Sequence, residues 1–97
     1  MEFERSAKFL NFTDGEEKLI TISDWHAEKS GDVLFKCYID EENGAEVDKF
    51  WFVWDFDLAQ DLKKVTKGKK PYEKVKLKVS MTEIDEFDKE FKVKKLN

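Results

Sequence analysis

The chain has 97 residues, of which 14% are aromatic and 41% are charged, and its formal net charge is −4. This length is enough for one hydrophobic core, so we expect a single domain over residues 1–97 and exclude a second one. Residues 1 to 62 contain 6 basic and 16 acidic groups, whereas residues 63 to 97 contain 12 basic and 6 acidic groups, which predicts a dipolar surface.

A turn dipeptide separates the first two strand-like segments. Asp14-Gly15 lies between residues 8–12 and residues 18–25, both of which carry spaced apolar side chains. Such a dipeptide between strand-like segments is typical of a tight hairpin. We therefore expect a short leading hairpin that adds an extra N-terminal strand to the sheet.

A second turn dipeptide, Asn43-Gly44, is the strongest short signal for a type I′ hairpin. It joins a strand over residues 33–39 to a strand over residues 47–54 and pairs residue 42 with residue 45. If every later pair follows without interruption, the side chains separate onto two faces. The predicted core face carries Val33, Phe35, Cys37, Phe50, Phe52 and Trp54. The predicted outer face carries Lys36, Tyr38, Lys49 and Trp51.

The hydrophobic period then changes from two to about 3.6. Apolar residues recur at helical spacing over residues 58–65, which predicts one short helix. We expect Asp57 to cap its N-terminus, and Gly68 with Pro71 to end it.

Two alternating segments close the chain, over residues 74–81 and residues 87–94. Their period of two predicts a pair of antiparallel strands with apolar residues inward. The outward side chains include a ladder of lysines: Lys74, Lys76, Lys78, Lys92 and Lys94.

A helix between the third and fourth strands of a five-stranded barrel is the arrangement of the OB-fold, a partly open Greek-key barrel. The lead-in over residues 9–16, the aromatic strand that runs directly into residues 57–65, and the closing hairpin resemble small OB-fold single-stranded-DNA-binding proteins of phages and archaeal viruses. The likeness covers nearly the whole chain through the order of its elements. It implies a mainly β protein, an OB-fold-like five-stranded barrel with an N-terminal extra strand and one short helix between the third and fourth barrel strands.

The chain departs from this family in one respect. Some such proteins carry a zinc-binding cysteine cluster, whereas this chain has one cysteine and one histidine, too few to build that site.

The second and third barrel strands usually bind the ligand of an OB-fold, so the resemblance points to the outer face described above. We expect this face to bind single-stranded DNA, or alternatively RNA, without sequence preference, through ring stacking and lysine–phosphate contacts. The expected contacts are Lys36, Tyr38, Lys49 and Trp51, with Trp25 beside His26 at the mouth of the face, and Lys76, Lys78, Lys92 and Lys94 along the phosphate backbone.

Other interpretations remain open at this point. The leading hairpin, or a second subunit in a homodimer, could cover the rings, and outward lysines could simply prevent an edge strand from pairing. An acidic protein-interaction or inhibitor module that mimics nucleic acid is the alternative function. Its working surface would consist of Asp40, Glu41, Glu42 and Glu46 at the hairpin tip, together with Glu16 and Glu17.

The sequence predicts no enzyme and no cofactor. It has no Ser-His pair in a motif context and no glycine-rich phosphate loop. The acidic residues near the helix start lack EF-hand spacing, so we expect no metal site there.

The single cysteine, Cys37, excludes a disulfide within the chain and fits a reducing compartment. The N-terminus lacks the long apolar run of a signal peptide, and no stretch has the length needed to cross a bilayer. We therefore expect a cytoplasmic protein that has no membrane contact.

Overall fold

The computed structural model of the protein describes residues 9–27, 33–70 and 73–96. The elements within these ranges are β1 (Glu17–Ala27), β2 (Phe35–Glu42), β3 (Ala45–Val53), α1 (Phe56–Thr66), β4 (Val75–Glu83) and β5 (Lys89–Lys95). The strands form a five-stranded open sheet in the order β3-β2-β1-β4-β5, with all neighbours antiparallel. The prediction of a mainly β chain with five sheet strands, and one helix between the third and fourth, is confirmed.

Regular alternation of apolar and polar residues fixes the inner faces of β2 and β4. Phe35, Cys37 and Ile39 of β2 are buried, as are Leu77 and Val79 of β4, because alternate side chains leave opposite faces of a strand. Each large apolar side chain buried in this way stabilises the fold by about 1.5 to 3 kcal/mol. The antiparallel pairing of β4 with β5 also agrees with the sequence prediction.

The sheet is strongly curved, since inward rings on its two edge strands contact each other. The ring centroids of Trp51 on β3 and Phe91 on β5 are 6.3 Å apart, and Phe12 lies 5.7 Å from both rings. Neighbouring strands lie about 4.8 Å apart, so a flat sheet would hold its outer strands roughly 19 Å from each other. The inner face therefore wraps around the core, which also includes Leu58 and Leu62 of α1.

The predicted leading hairpin is wrong, although its turn is present. β1 already pairs with β2 on one side and β4 on the other, so it has no edge for a further strand. The turn contacts β4 instead, where Asp14 Oδ1 accepts a hydrogen bond from the Glu83 N–H at 2.9 Å. Leu10 then lies along β3 and donates its N–H to the Phe50 carbonyl at 2.8 Å. Within the described residues, the predicted extra strand is reduced to one bridge between Phe9 and Phe50.

The Asn43-Gly44 turn forms as predicted, but the register of the hairpin changes soon after it. Both residues have positive φ, 53° and 85°, as a type I′ turn requires, and the first pair joins residues 42 and 45. The register then shifts between Ile39 and Glu41, so that Ile39 pairs with Lys49. Uninterrupted pairing would have joined Ile39 to residue 48. The extra residue in β3 is a β-bulge.

This shift reverses the face of every later side chain of β3, because the side-chain period of a strand is two. Trp51 was expected outside, but it pairs with Cys37 and is only 5% exposed. Phe50 and Phe52 were expected in the core, but they lie on the outer face, and Trp54 beyond the strand is 59% exposed. The predicted faces are therefore wrong for β3 and right for β2.

The helix begins one residue after its capping aspartate. Asp55 has an extended backbone, and its Oδ1 accepts a hydrogen bond from the Leu58 N–H at 2.9 Å, which is the usual geometry of an N-cap. The prediction that Asp57 caps the helix is therefore wrong; it lies in the first turn, where a carboxylate is favoured by the helix dipole. Gly68 follows the helix end with a φ of 80°, and Pro71 lies outside the described residues.

Candidate functional site

The outer face of β2 and β3 carries a row of aromatic rings beside a groove of about 430 Å³. Phe50 and Phe52 point outward from β3 because of the bulge, and Tyr38 lies beside Phe50 on β2. Phe9 of the lead-in packs against Phe52. Trp54 continues the row beyond β3, where it lines an adjoining pocket with Phe9, Phe50 and Phe52. We call this surface, formed by these five rings, the aromatic groove.

The rings of the aromatic groove form a continuous series of contacts. Centroids are 5.7 Å apart for Tyr38 and Phe50, 6.2 Å for Phe50 and Phe52, and 6.3 Å for Phe52 and Trp54. Phe9 lies 5.5 Å from Phe52 in an edge-to-face arrangement. A contiguous row of exposed rings is a candidate for a binding surface.

Polar groups surround these rings. Lys36 Nζ lies 5.9 Å from the centroid of Phe52, within the range of a cation–π interaction. His26 pairs with Lys36 across β1 and β2, and Asp24 pairs with Tyr38. The aromatic groove therefore combines apolar ring faces with a small number of titratable groups.

A hydrogen bond holds the Tyr38 phenol in place. Its hydroxyl donates to Asp48 Oδ1 at 2.7 Å. This hydrogen bond, with smaller contributions from burial and nearby carboxylates, raises the pKa of Tyr38 above its ordinary value. Tyr38 is therefore a neutral ring at physiological pH, held by its partner on β3.

The structure brings together only part of the predicted binding face. Lys36 and Tyr38 lie in the aromatic groove as expected. The outward positions predicted for Lys49 and Trp51 are wrong, because the β-bulge turns both side chains to the inner side of the sheet. Trp51 is part of the hydrophobic core.

Lys49 belongs to a charged cluster on that inner side. Its Nζ lies 2.6 Å from Glu42 Oε1, while the Nζ of Lys18 lies 2.7 Å from Glu42 Oε2. Burial opposes ionisation of Glu42, but the hydrogen bonds from both lysines outweigh it, so the pKa of Glu42 is lowered. Lys49 is therefore held by an internal ion pair.

Trp25 lies at the end of the aromatic groove. It pairs with Cys37, whose side chain points inward, and is half-buried against the core. It also lines the groove. The Trp25 ring therefore lies at the edge of the groove, as predicted, but part of its surface packs against the hydrophobic core.

The outward lysines of β4 and β5 occupy adjoining strands, as predicted. Lys78 pairs directly with Lys94, and Ser80 pairs with Lys92. We call the surface formed by Lys76, Lys78, Lys92 and Lys94 the lysine face. The predicted ladder also included Lys74, whose Nζ lies 2.8 Å from Asp40 Oδ2 on β2.

Four rings of the aromatic groove, Phe9, Phe50, Phe52 and Trp54, were not among the predicted contacts. Residues 50–54 are all apolar, so alternation does not distinguish the two faces of this segment. The turn was the only guide to register, and a bulge has no comparable local signal. Because this run is apolar throughout, either of its two sets of alternating side chains could have faced the core.

Carboxylates near the hairpin tip are largely engaged within the protein. Besides Asp40 and Glu42, which pair with lysines, Glu41 Oε1 accepts a hydrogen bond from the Thr21 hydroxyl at 3.1 Å. The acidic surface proposed as an alternative working surface is therefore partly neutralised by its own fold.

Side chains suited to metal binding or nucleophilic catalysis are dispersed. Over residues 9–27, 33–70 and 73–96, no group of three or more His, Cys, Asp or Glu side chains is arranged to hold a metal ion. Burial raises the pKa of the Cys37 thiol, whose Sγ lies 3.7 Å from the Trp51 carbonyl. This thiol is therefore a buried apolar group and not a nucleophile.

No protein-family model, curated protein or solved structure matches this chain.

The described helix is too short and too polar to span a membrane.

Proposed function

We propose that the protein binds single-stranded nucleic acid through the aromatic groove, with bases stacked on its rings. The observation that carries this proposal is the exposed row on one strand, in which Phe50 is 43% and Trp54 is 59% exposed. Stacking a base on an aromatic side chain contributes about 1 to 3 kcal/mol and tolerates any base, because every base has a π face.

The strand order β3-β2-β1-β4-β5 with one helix between β3 and β4 supports an OB-type arrangement for this surface. The aromatic groove lies on the second and third strands, where OB-folds hold oligonucleotides. Curvature that brings Trp51 and Phe91 into contact is also expected of such a fold. The proposed ligand is single-stranded DNA or RNA, bound without sequence preference.

Lys36 supplies the positive charge of this site. Its ammonium lies over the Phe52 ring, so a base stacked on neighbouring rings would bring its phosphate near a cation. Such a contact adds a salt-dependent term to the free energy of binding.

The internal pairing of Asp40, Glu41 and Glu42 weakens the alternative of an acidic module that imitates nucleic acid. Such a module needs exposed, unpaired carboxylates to enter a basic groove of its partner. We therefore rank nucleic-acid binding first. A homodimer formed through the aromatic groove is the competing use of the same rings, and sedimentation at several concentrations would reveal it.

Replacing Trp54 by alanine tests the proposal. We expect Trp54→Ala to weaken binding of a fluorescently labelled oligo-dT by about 1 to 3 kcal/mol, measured by anisotropy. Trp54→Phe keeps a ring and should retain most of the affinity. The wild-type tryptophan fluorescence should fall on binding, because Trp54 is the most exposed of the three indoles described.

Phe56 provides a matched control, since it is 65% exposed but lies on α1 and lines neither the groove nor the adjoining pocket that contains Trp54. Phe56→Ala should leave the affinity unchanged. Trp51→Ala should instead lower the free energy of unfolding by about 3 to 5 kcal/mol through loss of core packing. Failure of oligo-dT to bind at low salt, or equal losses for Trp54→Ala and Phe56→Ala, would contradict the proposal.

A further inference from the structure

The lysine face brings like charges close together, and a nearby carboxylate compensates for only part of this repulsion. Lys78 and Lys94 are directly opposite on β4 and β5, and like charges in that position destabilise a sheet. Glu17 partly compensates for this repulsion, since its Oε2 lies 3.5 Å from Lys78 Nζ. Within the part of the chain that the structure describes, Lys92 and Lys94 have no carboxylate partner. This accumulation of charge favours an external anion.

Protection of a sheet edge does not account for the whole lysine face. Lysines on an edge strand prevent pairing with another chain, and β5 is such a strand. Lys76 and Lys78, however, lie on β4, which is paired with β1 on one side and β5 on the other. An interior strand has no free edge, so edge protection does not account for the positions of these two lysines.

A belt that contains several carboxylates separates the lysine face from the aromatic groove. Asp24 lies on the outer side of β1, and Asp40 and Glu41 lie on β2. Lys74 reaches across β1 to Asp40, and the Thr21 hydroxyl of β1 binds Glu41. Because the exposed Lys74 ammonium lies beside Asp40, the belt is mixed in sign and offers no continuous basic path between the two surfaces, which are therefore suited to separate ligand segments.

The two surfaces also differ in chemistry. The outward positions of β4 and β5 over residues 76–82 and 90–94 hold only lysine, serine, threonine and glutamate. These side chains can neutralise phosphates, but they offer no ring on which a base can stack. A ligand of the lysine face would therefore be recognised by its backbone, whether single-stranded or double-stranded.

We propose that the lysine face binds the phosphate backbone of a second nucleic-acid segment, so that one molecule bridges two segments. The aromatic groove holds the bases of one segment, and the lysine face holds the backbone of the other. The bridging rests on the proposed function of the aromatic groove, whereas backbone binding by the lysine face does not.

Binding of a labelled short DNA duplex, followed by anisotropy, isolates the lysine face, because paired bases cannot reach the rings of the groove. We expect Lys92→Glu with Lys94→Glu to weaken duplex binding roughly tenfold or more. The log-log salt dependence should become shallower by about 1.8, since each phosphate contact contributes about 0.9. The double change to glutamine, which removes charge without reversing it, should give a smaller loss in the same direction.

A matched control lies in the segment after α1. Lys67 and Lys70 are both exposed there, and Lys67→Glu with Lys70→Glu changes the net charge by the same amount. This pair should reduce duplex affinity only slightly. Equal losses for the two pairs, or no loss for the lysine-face pair, would overturn the inference that the lysine face is a binding site.

Energy transfer between a donor-labelled oligo-dT and an acceptor-labelled duplex tests bridging. We expect the wild type to produce transfer, which should fall again when excess protein separates the two ligands. The Lys92→Glu, Lys94→Glu variant should lose the transfer while oligo-dT still quenches its tryptophan fluorescence.

The outcomes distinguish the two proposals. Tryptophan quenching and duplex binding without energy transfer would overturn bridging and leave the proposed function of the groove intact. Duplex binding without any quenching of the tryptophan fluorescence by oligo-dT would overturn the proposed function, and bridging with it, while leaving the lysine face as a phosphate site.

Discussion

Glu42 shows how a single carboxylate can hold several elements together. It lies at the end of β2 and binds Lys18 of β1 and Lys49 of β3 through different oxygens, at 2.7 and 2.6 Å. Its side chain is 12% exposed. An ion pair that is shielded from water depends strongly on both partners, because the remaining charge cannot be fully solvated when one is removed.

We expect Glu42→Gln to lower the free energy of unfolding at neutral pH by about 1 to 3 kcal/mol, because Lys18 and Lys49, which are largely shielded from water, lose the carboxylate that both contact. Lys18 then keeps only the longer contact with Glu16, at 3.9 Å. The pKa of Glu42 in the folded state lies below its ordinary value of 4.5, so the folded protein binds this proton less readily than the unfolded chain. The stabilisation is present above pH 4.5 and is lost as the pH falls through the lowered pKa.

Urea unfolding of the wild type and Glu42→Gln across this pH range measures the effect. The stability difference should shrink on acidification, and the variant should have the flatter pH profile. Glu17→Gln, at a more exposed ion pair with Lys78, serves as the control and should change stability little. A constant difference between wild type and Glu42→Gln down to low pH would contradict the assignment.

At the scale of elements, the buried face of a strand could be predicted where its apolar and polar residues alternate regularly, and not where they do not. Along β4, lysines separate inward apolar residues such as Leu77 and Val79, so only one face could be buried and the prediction was correct. Along the end of β3, Trp51 and Phe52 are both compatible with a core. The bulge decided between them, and its position depends on pairing with β2 that local sequence does not specify.

The lead-in shows a second limit. Asp14 and Gly15 form a turn, as their residue types indicate, but the segment before them contacts β3 and does not pair with β1. That partner depends on which edges of the sheet are occupied, and β1 is central because it pairs with both β2 and β4. Strand order is a property of the assembled sheet, and short-range patterns therefore did not reveal it.

The start of α1 gives a test at this scale. Asp55→Ala should lower the free energy of unfolding by about 0.5 to 2 kcal/mol, because it removes the hydrogen bond to the Leu58 N–H. Asp57→Ala removes only a favourable charge near the helix N-terminus and should have a smaller effect, about 0.3 to 1 kcal/mol. Thermal and urea unfolding would measure both, and a larger loss for Asp57→Ala would contradict the observed cap.

At the scale of the whole molecule, the uneven distribution of charge along the chain places different chemical groups on different parts of the outer surface of the sheet. Rings lie on β2 and β3, carboxylates such as Asp40 lie near the centre, and lysines lie on β4 and β5. Composition predicted the dipolar character, since basic residues dominate after position 62. It did not predict that the rings and most of the lysines would be on different parts of the sheet.

This division predicts a weak salt dependence for oligo-dT binding when tryptophan fluorescence is the signal. Among the described residues, Lys36 is the lysine that lines the groove, so we expect contact with about one or two phosphates and a log-log slope no steeper than about −1.4. Titrations at several salt concentrations would measure it. A slope near −3 would instead mean that lysines elsewhere hold the same strand.

The lead-in also affects how the molecule behaves in a crowded solution. β3 is an edge strand with apolar side chains on both faces, and such strands act as templates for fibril growth. Leu10 already occupies the Phe50 carbonyl on the outer edge of that strand. The same short segment that supplies a ring to the groove thus leaves this carbonyl unable to accept a strand from a second copy.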